Sequence, residues 1–221
     1  MHWWETEEGL LAGKDLLSGG TWAGVSNNGR FAMLTNFRDP KYFGREAPTR
    51  GTLVLDGVLK KSFKIEEPKD DQWNAFNGFN LLWGDAHGVH VYSNVDHHLH
   101  SLKTGIHGLS NAFLDTPWPK VECLKSWLQN RMDSSLGDPI SFIHEAFDAL
   151  DDEHKYPLNE LPETGVGEEM ELALSALKVN MDGYGSRLST VYLRHSSGAW
   201  YVGERSIQDG VRRVFHFREV T

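Results

Sequence analysis

Apolar positions along this chain follow two spacings, one strand-like and one helix-like, and each dominates a different stretch. Trp22, Gly24 and Ser26 alternate with Ala23 and Val25, Asn27-Asn28-Gly29 interrupts, and Phe31-Ala32-Met33-Leu34 follows. Asn-Gly between two such runs is a strong hairpin signal because both residues tolerate positive φ, so Thr21–Phe37 is predicted to be a hairpin. A second hairpin is predicted where Phe79–Trp83 and Val89–Tyr92 flank Gly84–Gly88, with Leu99–Leu102 and Gly105–Leu109 continuing the meander. Between the two, Leu53, Val54, Val58 and Leu59 have helical spacing, which predicts a helix over Gly51–Lys61 despite the glycine at 57.

The middle of the chain turns helical. From Lys120, the residues Val121, Leu124 and Leu128 form one stripe with Trp127 and Met132 beside it, and Pro119 suits a first helical turn. Asp138-Pro139 is a cap followed by a first-turn proline, opening a helix through Ile140, Ile143, Phe147 and Leu150. Glu153–Gly167 carries Pro157, Pro162, Gly165 and Gly167 and is expected to be a loop, with a third helix over Glu168–Leu177. Three strands close the chain, Arg187–His195, Trp200–Arg205 and Val211–Glu219, the first two joined by Ser196-Ser197-Gly198. Hairpin-linked strands, then helices, then strands predict an α+β protein with antiparallel sheets. Strands apolar on both faces predict sheets covered by helices.

Composition narrows the partners. The 221 residues carry 22 Lys and Arg against 31 Asp and Glu, a formal charge of −9. Such a field repels phosphate backbones and anionic headgroups, which argues against nucleic acid and charged membrane surfaces. No apolar run approaches the roughly 20 residues that span a bilayer, and no basic-then-apolar leader opens the chain. The lone Cys123 has no partner for an internal disulfide, and the cytoplasm is the expected compartment. Cys123 falls inside a predicted helix, where a packed side chain is expected. Gly19-Gly20-Thr21-Trp22 lacks the Gly-Lys-Ser/Thr ending of a phosphate loop and is rejected as one.

Several segments, in order and spacing, resemble the NRDE (transport and Golgi organisation protein 2) family. They are HWWE at His2–Glu5, LAGKDLLSGGTWAGV at Leu11–Val25, GRFAMLTNFRDP at Gly29–Pro40, NGFNLLWGD at Asn77–Asp85, GLSNAFLDTPWPKV at Gly108–Val121 and YGSRLSTV at Tyr184–Val191. The resemblance implies one domain over residues 1–221, with the αββα sandwich of N-terminal-nucleophile hydrolases and its first strand or strands missing. Typical members begin Met-Cys and continue to an Asn-Arg-Asp-Glu motif, and this sequence begins downstream of both.

In that hydrolase class the first residue supplies the nucleophile and its own α-amino group the base, which suits a group with a pKa near ~7.7–8.0. Neither Met1 nor His2 can serve as such a nucleophile. Further positions carry over by resemblance to cysteine-type amidases: Asn36 matches an oxyanion-hole asparagine, Asn111 a second pocket asparagine, and Arg187 a late active-site arginine. A structural reading stands beside these, in which Asn36 and Asn111 cap strand ends. Arg187 enters an apolar strand and is expected to need an anionic partner. The turn Asp115–Lys120 is expected to be architectural, with Trp118 anchoring the bend.

Six of the 11 histidines lie between His87 and His107, and His98 and His100 share one face of a predicted strand. They are candidate metal ligands; a polar hairpin surface is the alternative. The resemblance implies a binding and trafficking protein, linked to Golgi organisation and secretion, with haem as the cargo. The alternative is an N-terminal cysteine amide hydrolase, if the native chain carries the missing cysteine and Asn-Arg-Asp-Glu segment. A homodimer that swaps edge strands is a further expectation for an open sheet edge.

Overall fold

A computed structural model describes residues 1–42, 46–60, 63–66, 69–134 and 137–220. The chain divides into two compact units. One comprises residues 1–105, 109–114 and 219–221, the other residues 106–108 and 115–218.

The first unit is built on a seven-stranded antiparallel meander in sequence order. Its strands are β1 (His2–Trp3), β2 (Leu10–Ala12), β3 (Ala23–Ser26), β4 (Phe31–Asn36), β5 (Phe79–Gly84), β6 (Val89–Ser93) and β7 (His98–Ser101). Both predicted hairpins form. The Asn28-Gly29 turn does so with positive φ at Gly29 alone: Gly29 N donates to Ser26 O (3.0 Å), and Ser26 N donates to Arg30 O (2.7 Å). This is a type I turn closed by a left-handed glycine, not a turn with both residues left-handed.

Pairing of Leu34 with Leu81 and Leu81 with Tyr92, and of Ala32 with Trp83, sets the rows of one sheet face. Helix α1 (Gly51–Leu59) lies on that face and buries Leu53, Val54 and Val58. Gly57 is the reason it can approach, since a Cβ there would stand 2.9 Å from the Ala32 Cβ. The last carbonyls of α1 are taken by Arg30, whose Nε donates to Val58 O (2.9 Å) and Nη2 to Leu59 O (2.7 Å). A cation at that end also opposes the negative pole of the helix. The final residue of the predicted helix, Lys61, lies outside the described residues. Leu11, Val25, Asn80 and Val91 on the opposite sheet face are also buried, as the two-sided apolar pattern predicts.

The second unit holds α2 (Pro119–Asp133), α3 (Pro139–Ala149), α4 (Glu168–Ala173), a short hairpin of β8 (Asn180–Met181) and β9 (Tyr184–Gly185), and a three-stranded sheet. That sheet runs β10 (Leu188–Arg194), β11 (Ala199–Ser206), β12 (Arg212–Arg218), all antiparallel. Asp138 caps α3 by accepting a hydrogen bond from Ser141 N (2.9 Å). Helix α3 packs Ile143 and Phe147 onto β11 where Gly203 leaves room: a Cβ at 203 would lie 2.4 Å from Ile143 Cγ2. Buried Arg205 joins β11 to the chain after α3 through Asp151 (2.9 Å), which also pairs with Lys178 (3.0 Å).

Four expectations are corrected. Gly105–Leu109 forms no strand, because Asp115 takes the polar groups of Gly108: Asp115 N donates to Gly108 O (2.7 Å), and Gly108 N donates to Asp115 Oδ1 (2.8 Å). The third helix stops at Ala173 instead of Leu177, where the Ser175 hydroxyl donates to Leu172 O and the Lys120 ammonium to Leu174 O. Met132, expected beside the apolar stripe of α2, is exposed, and so is Cys123, expected to be packed. The fold class holds: α+β, with antiparallel sheets. Among the described residues no helix is long and apolar enough to cross a membrane.

Replacing Gly203 by alanine drives a methyl into Ile143 and Phe147 and is expected to lower stability by about 1–3 kcal/mol. Gly13→Ala, where a Cβ meets nothing within 4 Å, serves as the near-neutral comparison in denaturant unfolding.

Candidate functional site

A cavity of about 450 Å³ opens on the α3 face of the three-stranded sheet, beside the start of that helix. Its floor follows from register. Leu193 pairs with Tyr201 and Tyr201 with His216, while Ala199 pairs with Arg218, so alternate residues of three strands meet in two adjoining rows. Pro139 and Phe142 of α3 form the apolar wall, and His195 and Ser197 border the turn between β10 and β11. The His216 ring stacks on Tyr201 with centroids 4.4 Å apart and planes 16° apart. Among the described residues no carboxylate lines the cavity, whereas Arg194, Arg218 and two histidines do. An apolar slot with a cationic rim suits a flat, mostly apolar ligand bearing acid groups.

The two histidines are not equivalent. His195 Nδ1 accepts from Ser197 N (3.1 Å) and lies 2.8 Å from Ser197 Oγ, so its neutral ring keeps its proton on Nε2. That ring has no lone pair left for a metal. His216 is therefore the candidate ligand for a metal centre carried by a bound molecule.

Asn36 and Asn111 are brought together in the first unit. Asn111 Nδ2 donates to Asn36 O (2.9 Å), and Arg38 N donates to Asn111 O (2.7 Å). The same segment is laced to β4 and β5 by Thr35 Oγ1, donating to Ser110 O (2.7 Å), and by Asn80 Nδ2, donating to Ala112 O (2.8 Å). Asn80 is almost fully buried, and its Oδ1 has no hydrogen-bond partner among the described residues. Asn36 is exposed at the end of β4, in the last sheet pair, with Phe79.

Arg187 belongs to the second unit and is exposed just before β10, where its carbonyl accepts from Ile207 N (2.9 Å). His98 and His100 sit on β7 with ring centroids 4.2 Å apart. No group of three His, Cys, Asp or Glu residues suited to a metal occurs among the described residues. Trp118 is buried at the N-cap of α2, and Asp115 adopts a φ of 57°. Partial burial pushes the Asp115 carboxyl up, but hydrogen bonds from His107 (2.7 Å) and Gly108 N, with the charges of His107 and Lys125, outweigh it and hold it below the usual aspartate range.

A family model described as Transport and Golgi organisation 2 matches residues 1–209. The chain belongs to this family. The human Transport and Golgi organization protein 2 homolog is 31% identical over 221 aligned residues, covering 93% of this chain and 80% of that protein. The Bos taurus homolog is 30% identical, covering 92% and 79%, and the Mus musculus homolog 28% identical, covering 93% and 80%. In this member of the Transport and Golgi organisation 2 family, the motif segments at Gly29–Pro40 and Gly108–Val121 supply Asn36 and Asn111. The cavity residues Leu193, Tyr201, His216 and Arg218 lie outside every such segment. Period-two spacing of residues 193 and 195, 199 and 201, and 216 and 218 was the available signal for them, but it needs the strand register to become a site.

Because the folded-state pKa of Asp115 is lowered, its contribution to stability is present above the unfolded value, near 3.8, and is lost as pH falls through the folded value. Acid unfolding of the wild type and Asp115→Asn should differ above about pH 4 and converge well below it.

Proposed function

We propose that this chain is a cytoplasmic binding protein for haem, serving transport and Golgi organisation as the names of its relatives imply. The observation that carries this reading is the cavity on the α3 face. Its apolar surfaces, Phe142, Leu193, Pro139 and Tyr201, suit the faces of a porphyrin. Arg218 suits a propionate, because a planar guanidinium pairs with a carboxylate through two parallel hydrogen bonds. His216 suits the iron, since a histidine imidazole is a common axial ligand. Bound haem would supply a metal centre; the residues of this chain hold and orient it.

A second reading, an N-terminal cysteine amide hydrolase with the layered architecture of that class, draws support from the Asn111–Asn36 contact. A side-chain amide there could steady a developing oxyanion without ionising. That reading requires a native polypeptide led by a processed cysteine, which N-terminal sequencing of the protein from its host tests.

Titration of haem into the protein should shift the Soret band to a saturable end point. Losing a charged hydrogen bond or the axial ligand should weaken binding about tenfold or more, so Arg218→Ala and His216→Ala are both expected to do so. His98→Ala combined with His100→Ala should bind as the wild type does. Absence of a Soret shift, or unchanged affinity in the cavity variants, overturns the assignment.

A further inference from the structure

The loop between β2 and β3 presents two leucines to solvent, Leu16 at 90% exposure and Leu17 at 100%. They are held there by design of the turn. Asp15 Oδ1 accepts from Leu17 N (2.9 Å) and Ser18 N (3.1 Å), Gly19 N donates to Asp15 O (2.8 Å), and Asp15 N donates to Gly20 O (2.8 Å). Gly19 takes a left-handed φ of 74°. Four amide groups of the tip are thus paired inside the loop.

We propose that this tip docks the protein on an electrically neutral lipid surface by inserting Leu16 and Leu17 into the headgroup region. Three features favour lipid over a partner's pocket. Pairing of those four amides lowers the cost of bringing the tip into the headgroup region, since each amide that keeps a partner loses less when water is displaced. Exposed Trp3, on the strand paired with β2, and exposed Trp22, just past the loop, stand at the base of the tip. With Lys14, whose ammonium lies 4.8 Å from the Trp4 ring, they would serve as the aromatic and cationic residues that flank an interfacial anchor. The overall charge of −9 then selects the surface: it disfavours anionic leaflets, so the tip acts on zwitterionic lipid by its apolar side chains.

Flotation of the full chain with phosphatidylcholine vesicles tests this. The wild type should co-float, binding should change little between low and high salt, and added phosphatidylserine should weaken it at low salt. The double variant Leu16→Ser, Leu17→Ser removes surface side chains only and should keep the wild-type melting temperature and haem titration while losing about tenfold or more in vesicle partitioning. A wild type that stays with the soluble fraction for vesicles of every composition overturns the proposal, as does a double variant that floats equally well. Loss of self-association in the double variant, without any vesicle binding by the wild type, would assign the tip to a second copy of the chain and overturn it too.

Discussion

The approach of α3 onto bare backbone at Gly203 is the constraint that shapes the second unit. Ile143 and Phe147 sit where any larger residue would carry a side chain, so the helix lies low across the row formed by Val191, Gly203 and Val214. It begins at Pro139, fixed by the Asp138 cap and by a proline that needs no hydrogen-bond acceptor in the first turn. The rows beyond Gly203 therefore run out from under the helix. The cavity is the space between the helix start and the rows of Tyr201 and Ala199, and its position follows from where α3 can begin. Arg205, buried beneath the same helix and tied to Asp151, fixes the other end. Gly57 does for α1 in the first unit what Gly203 does for α3, but there Ala32 and Trp83 take up the space beside the bare backbone.

Charge on the molecule and charge in the cavity have opposite signs, and distance decides which matters. A net −9 repels an approaching anion at long range, but screening cuts that field off within about 8 Å at physiological salt. Inside the cavity an acid group would meet Arg218 and the histidines, with no carboxylate facing it among the described residues. Affinity for an acid group is set by those contacts, while the distant acids affect only the rate of encounter.

Much of the fold was legible because long amphipathic or two-sided apolar runs leave few choices. The helix over Pro139–Ala149 and the strands β4, β5, β6, β10, β11 and β12 all rest on such runs. What escaped were pieces whose structure depends on partners. The strand β2 is three fully buried residues, Leu10–Ala12, too short to show a period, and β1, β8 and β9 are shorter still. Gly105–Leu109 has strand-like composition, but one aspartate side chain claims the hydrogen bonds a ladder would need. The end of α4 depends on a serine hydroxyl and a lysine from α2, which no local pattern encodes. For the site, resemblance led to Asn36 and Asn111, which meet. Spacing alone could not lead to the cavity, because its members come from four elements aligned by register.

Histidines illustrate why clustering in sequence is a weak guide to chemistry. Six of them crowd between His87 and His107, yet several spend a ring nitrogen on structure: His90 on Ser101, His97 on Tyr92, His107 on Asp115. Outside the cluster His144 Nδ1 faces Arg212 (3.0 Å), and His195 Nδ1 takes Ser197. Arginine can only donate, so the neutral His144 ring must accept at Nδ1 and carry its proton on Nε2. A ring so committed has no lone pair to offer a ligand at its outer nitrogen. The useful question about a histidine is thus which nitrogen is already engaged and by what kind of group. By that criterion His107, whose Nδ1 must donate to the Asp115 carboxylate, carries its lone pair on Nε2, whereas His144 and His195 do not; what sets His216 apart is its place, stacked on Tyr201 at the cavity floor.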